Sequence, residues 1–357
     1  MDYQNFKEQF VEDVERTLYE RGIENVNITV NHVDKMNDSY DAMTVSTEGS
    51  NIAVFLRVEN YYDALNEGVD YQEIVDHATA DINKRINEMP SLDLDKLMDY
   101  QQVKERLSLE VVSAERNASV LETVPHKLME DMAIVYRINL DINNSESGTV
   151  LVNDSLMKMY GISGEQLHED AVQNASVIKP FLIKGMSQVM MEMMSPEEAE
   201  LFGIGEESNE LMYVATVPDK TKGAGVLAYD NFMEYAVEKL GGDFFVLPSS
   251  VHEILLVKDD GEAKYEDLKQ MVEQVNETDV SPEDKLTDSV YHYDSKNRIF
   301  ELGEKFEARR NREMAEEKGM KGSVLQDLKE KKASVEKPVA SKSVEKSVSK
   351  SRGGEAL

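Results

Sequence analysis

The chain has no cysteine in 357 residues. That excludes disulfides, thiolate zinc sites, iron–sulfur ligation and a cysteine nucleophile, and it suits a reducing compartment. No apolar run approaches the roughly 20 residues of a membrane-spanning helix. The opening stretch MDYQNFKEQFVEDVERTLYERG has neither a basic n-region nor an apolar h-region, so it does not read as a signal peptide. Positive charge is scarce too. The 39 Lys and Arg stand against 70 Asp and Glu, a net of -31. These absences predict a soluble, cytoplasmic protein with no membrane segment.

The charge is unevenly divided. Residues 301–357 hold 14 basic and 11 acidic residues, which leaves 25 basic and 59 acidic ones in residues 1–300. A body of that sign repels nucleic acid phosphates and anionic membranes, where Lys and Arg must displace counterions. It favours a protein partner with a basic surface. With 41% hydrophobic residues the body can bury a real core.

Tyr3, Phe6, Phe10, Val14 and Leu18 recur at helical spacing and Gly22 stops the helix. Strand-like runs follow at Val26–Val33, Tyr40–Thr47 and Ile52–Val58, with Gly49 and Asn51 as punctuation. A second helix is predicted from Tyr71 to Glu88, its apolar face Ile74, Ala78, Ile82 and Ile86, with Pro90 closing it. Residues 1–90 thus read as an α-β-β-β-α domain. Residues 91–300 read as a second α+β domain. Ser91 caps a short helix, and a hairpin runs through Met132–Leu140 and Thr149–Val152. Helices start at Asn153 or Asp154, Ser163 and Ser195-Pro196. Strands are expected at Glu210–Val217, Ala224–Ala228, Asp243–Leu247 and His252–Val257. A helical appendage over Glu262–Glu277 and a hairpin turning at Ser295-Lys296-Asn297 follow. Residues 301–357 read as a polar helix and a low-complexity tail, with Ser334–Lys337 repeated at Ser343–Lys346. The expected fold class is α+β, with short antiparallel sheets and packed helices.

Few motifs carry chemistry. Gly223-Ala-Gly225-Val-Leu-Ala228 matches the letters of a dinucleotide fingerprint. Five residues, Pro218 to Lys222, separate it from the preceding strand, whereas the mechanism needs the first glycine at the strand's end. The six histidines are scattered, and Asp141–Gly148 lacks the glycine and the final glutamate of a calcium loop. No metal or cofactor is expected. Pro248-Ser249-Ser250-Val251-His252-Glu253 is the most site-like cluster. A hydroxyl beside an imidazole is the raw material of a nucleophile–base pair. A turn whose serines bond free backbone groups is the competing reading. His126, after Pro125 and with Asp131 nearby, forms a second candidate cluster. In the tail, the capping box Ser323–Gln326 opens an amphipathic turn whose Val324, Leu325 and Leu328 are candidate partner-binding residues. Met186, Met190, Met193 and Met194 share a helical face that suits core packing or a partner groove.

The segments Val58–Tyr62, Glu115-Arg-Asn117, Pro125-His126, Asp131–Tyr136 and Asp243–Glu253 resemble a bacterial family of acidic proteins, a domain of unknown function common in gut anaerobes. The resemblance covers about residues 1–300 and implies no activity. The second domain more distantly resembles another bacterial family of unknown activity with the same strand–helix order. Ser323–Lys329 is similar to short C-terminal stretches in accessory proteins of conjugative mobile elements. The leading expectation is therefore a non-catalytic binding or adaptor protein, as a mobile-element accessory factor would be, with an acidic body and a docking tail. A hydrolase or transferase using Ser249, Ser250, His252 and Glu253 is the alternative. A nucleic-acid mimic with carboxylates in phosphate-like rows is the third.

Overall fold

The computed structural model describes residues 1–48, 50, 52–88, 94–143, 146–195 and 210–316. Residues 1–306 form one unit and residues 307–357 another. The class is α+β, built on three antiparallel sheets among the described residues. No helix among the described residues is long and apolar enough to cross a membrane.

The first helix, α1 (Tyr3–Glu20), starts where the Asp2 carboxylate accepts the Asn5 N–H at 2.9 Å. It ends at Gly22, whose φ of +79° a side-chain-bearing residue rarely adopts. The strands β1 (Val26–Lys35), β2 (Asp38–Thr47) and β3 (Ala53–Arg57) pair antiparallel in that order. The next helices are α2 (Val58–Asn66) and α3 (Tyr71–Asn87). Side chains alternate across a strand, so Met43, Val45, Val54 and Leu56 share one face. They pack there against Phe6, Phe10, Val14 and Leu18 of α1 and Ile74, Ala78 and Ile82 of α3. Each such buried side chain contributes about 1.5–3 kcal/mol. The opposite face carries Tyr40, Thr44, Phe55 and Arg57. Among the described residues β3 has no neighbour beyond β2 and is an edge of the sheet.

Short helices α4 (Leu94–Met98) and α5 (Tyr100–Val103) lead into β4 (Leu107–Ser113), all seven residues of which are buried. After α6 (Ala118–Leu121) come β5 (His126–Met129), β6 (Met132–Asn143) and β7 (Glu146–Leu151). β6 lies between β4 and β5 and also pairs β7. α7 (Asp154–Tyr160) is capped by Asn153, and α8 (Gly164–Ile178) by Ser163, whose hydroxyl accepts the Gln166 N–H. Leu167, Ala171 and Ala175 of α8 enter the largest core beside Leu107, Leu109 and Ile134.

The third sheet contains β8 (Leu182–Gly185), β9 (Met212–Thr216), β10 (Phe244–Leu247), β11 (Ile254–Lys258), β12 (Tyr291–Asp294) and β13 (Ile299–Leu302). Their order is β13-β12-β10-β11-β9-β8. One face gives Phe244, Val246, Leu256 and Tyr291 to the main core, with α10 (Phe232–Leu240) supplying Phe232 and Ala236. The other face gives Phe245, Leu247 and Val257 to a second cluster with Leu268 and Val272 of α11 (Tyr265–Thr278) and with Phe306. The stretch expected to be an appendage is thus packed on the sheet. In α9 (Met186–Met193) no residue is buried and Met193 is 79% exposed, so the methionine face is not a core face. Residues 303–316 are helical, and in the second unit Arg310 pairs with Glu307 at 2.6 Å.

Ala224–Ala228, expected as a strand, is part of a 3-10 helix over Gly223–Ala228. The glycines explain the difference. A Cβ on Gly225 would lie 3.0 Å from the Leu109 carbonyl oxygen, and one on Gly223 would lie 2.3 Å from the His252 carbonyl oxygen. The backbone is pressed between two strands rather than hydrogen-bonded into a ladder. Pro90, Ser91, Pro196–Glu198 and the tail from Ser323 onward, with its Val324, Leu325 and Leu328, lie outside the described residues.

The burial of tyrosines makes stability depend on alkaline pH. Burial pushes the phenols of Tyr61, Tyr136 and Tyr229 up to about 12 from 10.0. Tyr291 is pushed up further, first by burial and then by its bond to Asp131. Folded chains hold these protons where unfolded chains release them. The stabilisation is therefore complete below pH 10 and lost as pH climbs from 10 through about 12. Tyrosinate absorbance should lag behind free tyrosine and then rise together with loss of far-UV circular dichroism. Titration of Tyr61, Tyr136 and Tyr229 near 10 with the fold intact would contradict this.

Candidate functional site

Segments far apart in sequence converge on one stretch, residues 279–289, between α11 and β12. Val251 N–H donates to the Asp284 carbonyl (2.8 Å), and Leu286 N–H donates to the Ser249 carbonyl (3.0 Å). Ser250 and Lys285 form an isolated antiparallel bridge between them. Side chains add to this pairing. His252 Nε2 lies 2.9 Å from Asp284 Oδ1, and Ser281 Oγ donates to Asp284 Oδ2 at 2.7 Å.

The His252 tautomer follows from its other nitrogen. The Lys222 backbone N–H points at Nδ1 at 3.3 Å, and an N–H can be met only by a lone pair. Nδ1 therefore accepts, and Nε2 carries the proton that Asp284 receives. Ser250 Oγ is turned away from the ring, to the His252 backbone N–H at 3.1 Å. The expected hydroxyl and imidazole are thus adjacent, but they do not form a nucleophile–base pair, because both ring nitrogens are occupied. Ser249 and Glu253 line a cavity of about 330 Å³ together with Asp279, Ser281 and Asp284.

Asp131 holds the other side of the same stretch. It sits in the two-residue turn between β5 and β6, after Glu130 at φ +56°. Its Oδ2 accepts the hydroxyls of Thr287 (3.0 Å) and Ser289 (2.8 Å), and its Oδ1 accepts that of Tyr291. A cavity of about 360 Å³ lies here, lined by Glu115, Arg116, Asp131, Lys285 and Asp288 among others. Arg116 donates to the Pro282 carbonyl at 2.6 Å. His126 does not join this group. It is exposed on β5, three residue pairs from the turn, with Nδ1 on the Val124 carbonyl at 2.8 Å.

The first sheet reaches the same stretch through the β1–β2 turn. Asn37, at φ +61°, donates its amide to the carbonyls of Glu283 (3.0 Å) and Lys285 (3.1 Å). Asn37 and Asn117 also bond reciprocally. Asn37 N–H donates to Asn117 Oδ1 at 2.6 Å, and Asn117 Nδ2 donates to Asn37 Oδ1 at 2.7 Å.

A charged network that the sequence reading missed adjoins His252. Glu110 stands in the middle of buried β4 and meets both Arg137 and Lys222, the latter at 2.5 Å. Lys222 sits at φ +59° and Lys220 at φ +52°, in a loop tied down by Lys179, which pairs with Asp219 at 3.0 Å. Burial pushes the Lys222 amine below its usual range, against the pull of Glu110. The available signal was a single carboxylate within the otherwise apolar or hydroxylic run Leu107–Ser113. A buried charge of that kind requires partners. Among the described residues, no group of three or more His, Asp or Glu is placed to hold a metal ion.

The arrangement is a brace. The polar groups of His252, Asp131, Asn37 and Arg116 fix one segment against three sheets, with Asn117 holding Asn37 in place. Residues 3–295 match a family of unknown function, DUF5688, and the chain belongs to that family. No curated protein and no solved structure matches the chain.

Proposed function

We propose that this family member is a non-catalytic, cytoplasmic binding or adaptor protein. Its acidic body meets a protein partner with a basic surface, and its C-terminal segment docks or tethers, as in an accessory factor of a mobile element. One observation carries the reading. The groups best suited to chemistry at the site, His252, Ser250 and Asp131, are engaged in holding backbone and hydroxyls in place. The adjoining cavity is lined by the carboxylates of Glu253, Asp279 and Asp284, and no Lys or Arg lines it, although Asp284 is itself bonded to His252 and Ser281. The excess of 59 acidic over 25 basic residues in residues 1–300 supports a basic partner, because opposite fields steer encounter. The cysteine-free composition suits a reducing compartment.

The test is affinity capture with the full chain at about 50 mM and about 300 mM salt, since surface attraction weakens as the screening length shortens. A partner held at the lower salt, lost at the higher, and lost at both by Glu253→Lys with Asp279→Lys is the expected result. Capture that ignores both salt and charge reversal would refute the reading.

A further inference from the structure

A further cavity lies elsewhere, along the open edge of the first sheet. It is a groove of about 950 Å³ floored by β3 and walled by α2 and α3. An unpaired strand edge presents free N–H and C=O groups to any strand that can lie beside it. Natural edges are usually protected by charge. Here the middle residue of β3, Phe55, is instead 45% exposed.

The charges around this groove are balanced, unlike the rest of the body. Its lining holds Lys35, Arg57 and Arg85 against Asp38, Asp81 and Glu88. Across residues 1–300 the ratio is 25 basic to 59 acidic, so most of the surface repels a second copy of itself. At this groove that repulsion is absent.

The order of the charges goes further. His77, Asp81 and Arg85 of α3 and Glu88 at its C-cap form one stripe, at spacings of four, four and three, and all four line the groove. A stripe that reads His, Asp, Arg, Glu is complementary to itself when run backwards. A two-fold axis near residue 83 sets Asp81 against Arg85 of the second copy, Arg85 against Asp81, and His77 against Glu88. β3 obeys the same symmetry. Paired antiparallel about Phe55, it sets Phe55 on Phe55 of the second copy and Arg57 opposite Ala53, whose small side chain leaves room. In an isologous interface each contact must occur twice in this way.

We infer that β3 and α3 form a symmetric dimer interface, in which two copies join their three-stranded sheets edge to edge into one antiparallel sheet of six strands. The Phe55 pair lies at its centre, and crossed Asp81–Arg85 pairs link the two α3 helices. The interface is separate from the partner-binding reading, which concerns residues 249–289.

Sedimentation velocity on the full chain, from about 1 to 100 μM, reads this directly. The expected species has twice the mass of the 40.4 kDa chain. Phe55→Asp, at an exposed position, should leave far-UV circular dichroism unchanged and give monomer. Asp81→Arg and Arg85→Asp should each weaken association by about tenfold or more, because like charges then face each other twice. The double variant Asp81→Arg with Arg85→Asp should restore the dimer, which damaged folding cannot imitate. A monomer throughout the range, a dimer indifferent to Phe55→Asp, or single variants without rescue by the double swap would each overturn the proposal.

Discussion

Replacing Glu110 by alanine is expected to lower the unfolding free energy by about 3–5 kcal/mol, the range found when one partner of a buried ion pair is removed. Glu110 is 3% exposed and serves two cations, Arg137 and Lys222. Without it both are left half-desolvated with no counter-charge. A denaturant titration should show the midpoint falling with an unchanged slope. Glu110→Gln keeps the shape and a hydrogen-bond acceptor but removes the charge, which isolates the electrostatic part. That part has a sign in pH. The folded-state amine of Lys222 already lies below its unfolded value of 10.5. The penalty of carrying its charge is full at low pH and fades as pH rises toward 10.5, because the unfolded chain then binds more protons than the folded one. The glutamine variant should therefore recover stability on moving from neutral pH toward 10, before the buried phenols begin to ionise. A Glu110→Ala chain within about 1 kcal/mol of the parent would mean that the pair is solvated and contributes little.

Asp131→Ala is expected to release the stretch 279–289 and to lower stability by about 3 kcal/mol. Three hydroxyls, from Thr287, Ser289 and Tyr291, donate to this one carboxylate. Tyr291 is fully buried, so its hydroxyl finds no water in exchange. A buried donor without a partner costs about 1–3 kcal/mol, and the two partly buried ones cost less. Hydrogen exchange locates the effect. The amides of Val251 and Leu286, which bond across to Asp284 and Ser249, should lose protection. Those within α1 and α3 should not. Asp131→Asn, which retains one acceptor oxygen, should fall between the two. Unchanged exchange at Leu286 in the alanine variant would show that Asp131 does not hold this stretch.

The first sheet and its helices were largely legible because their signals are local. Apolar spacing in Tyr3–Leu18 and Ile74–Ile86, and strand runs punctuated at Gly49 and Asn51, lie within a few residues of what they determine. α2 was not legible. It follows β3 directly, and its first residue is preceded by Arg57, which makes no side-chain capping bond, so nothing marks the switch from strand to helix. At the site, the segment Pro248–Glu253 was visible as a cluster, and the turn-like bond from Ser250 to the backbone was among its readings. Its partners were not visible. Asp284 and Lys285 carry no local motif, and their importance comes from contacts 32 and 248 positions away. Glu110 was overlooked for a different reason. The run Leu107–Val112 has no clear strand or helix period, so periodicity does not mark Glu110 as buried.

The asparagine latch at the β1–β2 turn bears on the order in which the chain matures. The core around Phe6, Phe10, Met43 and Ile82 uses residues 1–88 alone and has its strands adjacent in sequence. It can close early, while the ribosome is still adding residues. Asn37, however, must wait for Asn117 and then for the carbonyls of Glu283 and Lys285. At about 5–20 residues per second, that delay is on the order of 10–50 s. Throughout that interval the Asn37 side-chain amide lacks its two carbonyl acceptors, although Asn117 and the residues that cover Met36 are already made. The emerging amino-terminal part is therefore a species with its core closed while its hairpin tip is still unlatched from residues 283–285. A truncation before residue 283 should resemble that species permanently.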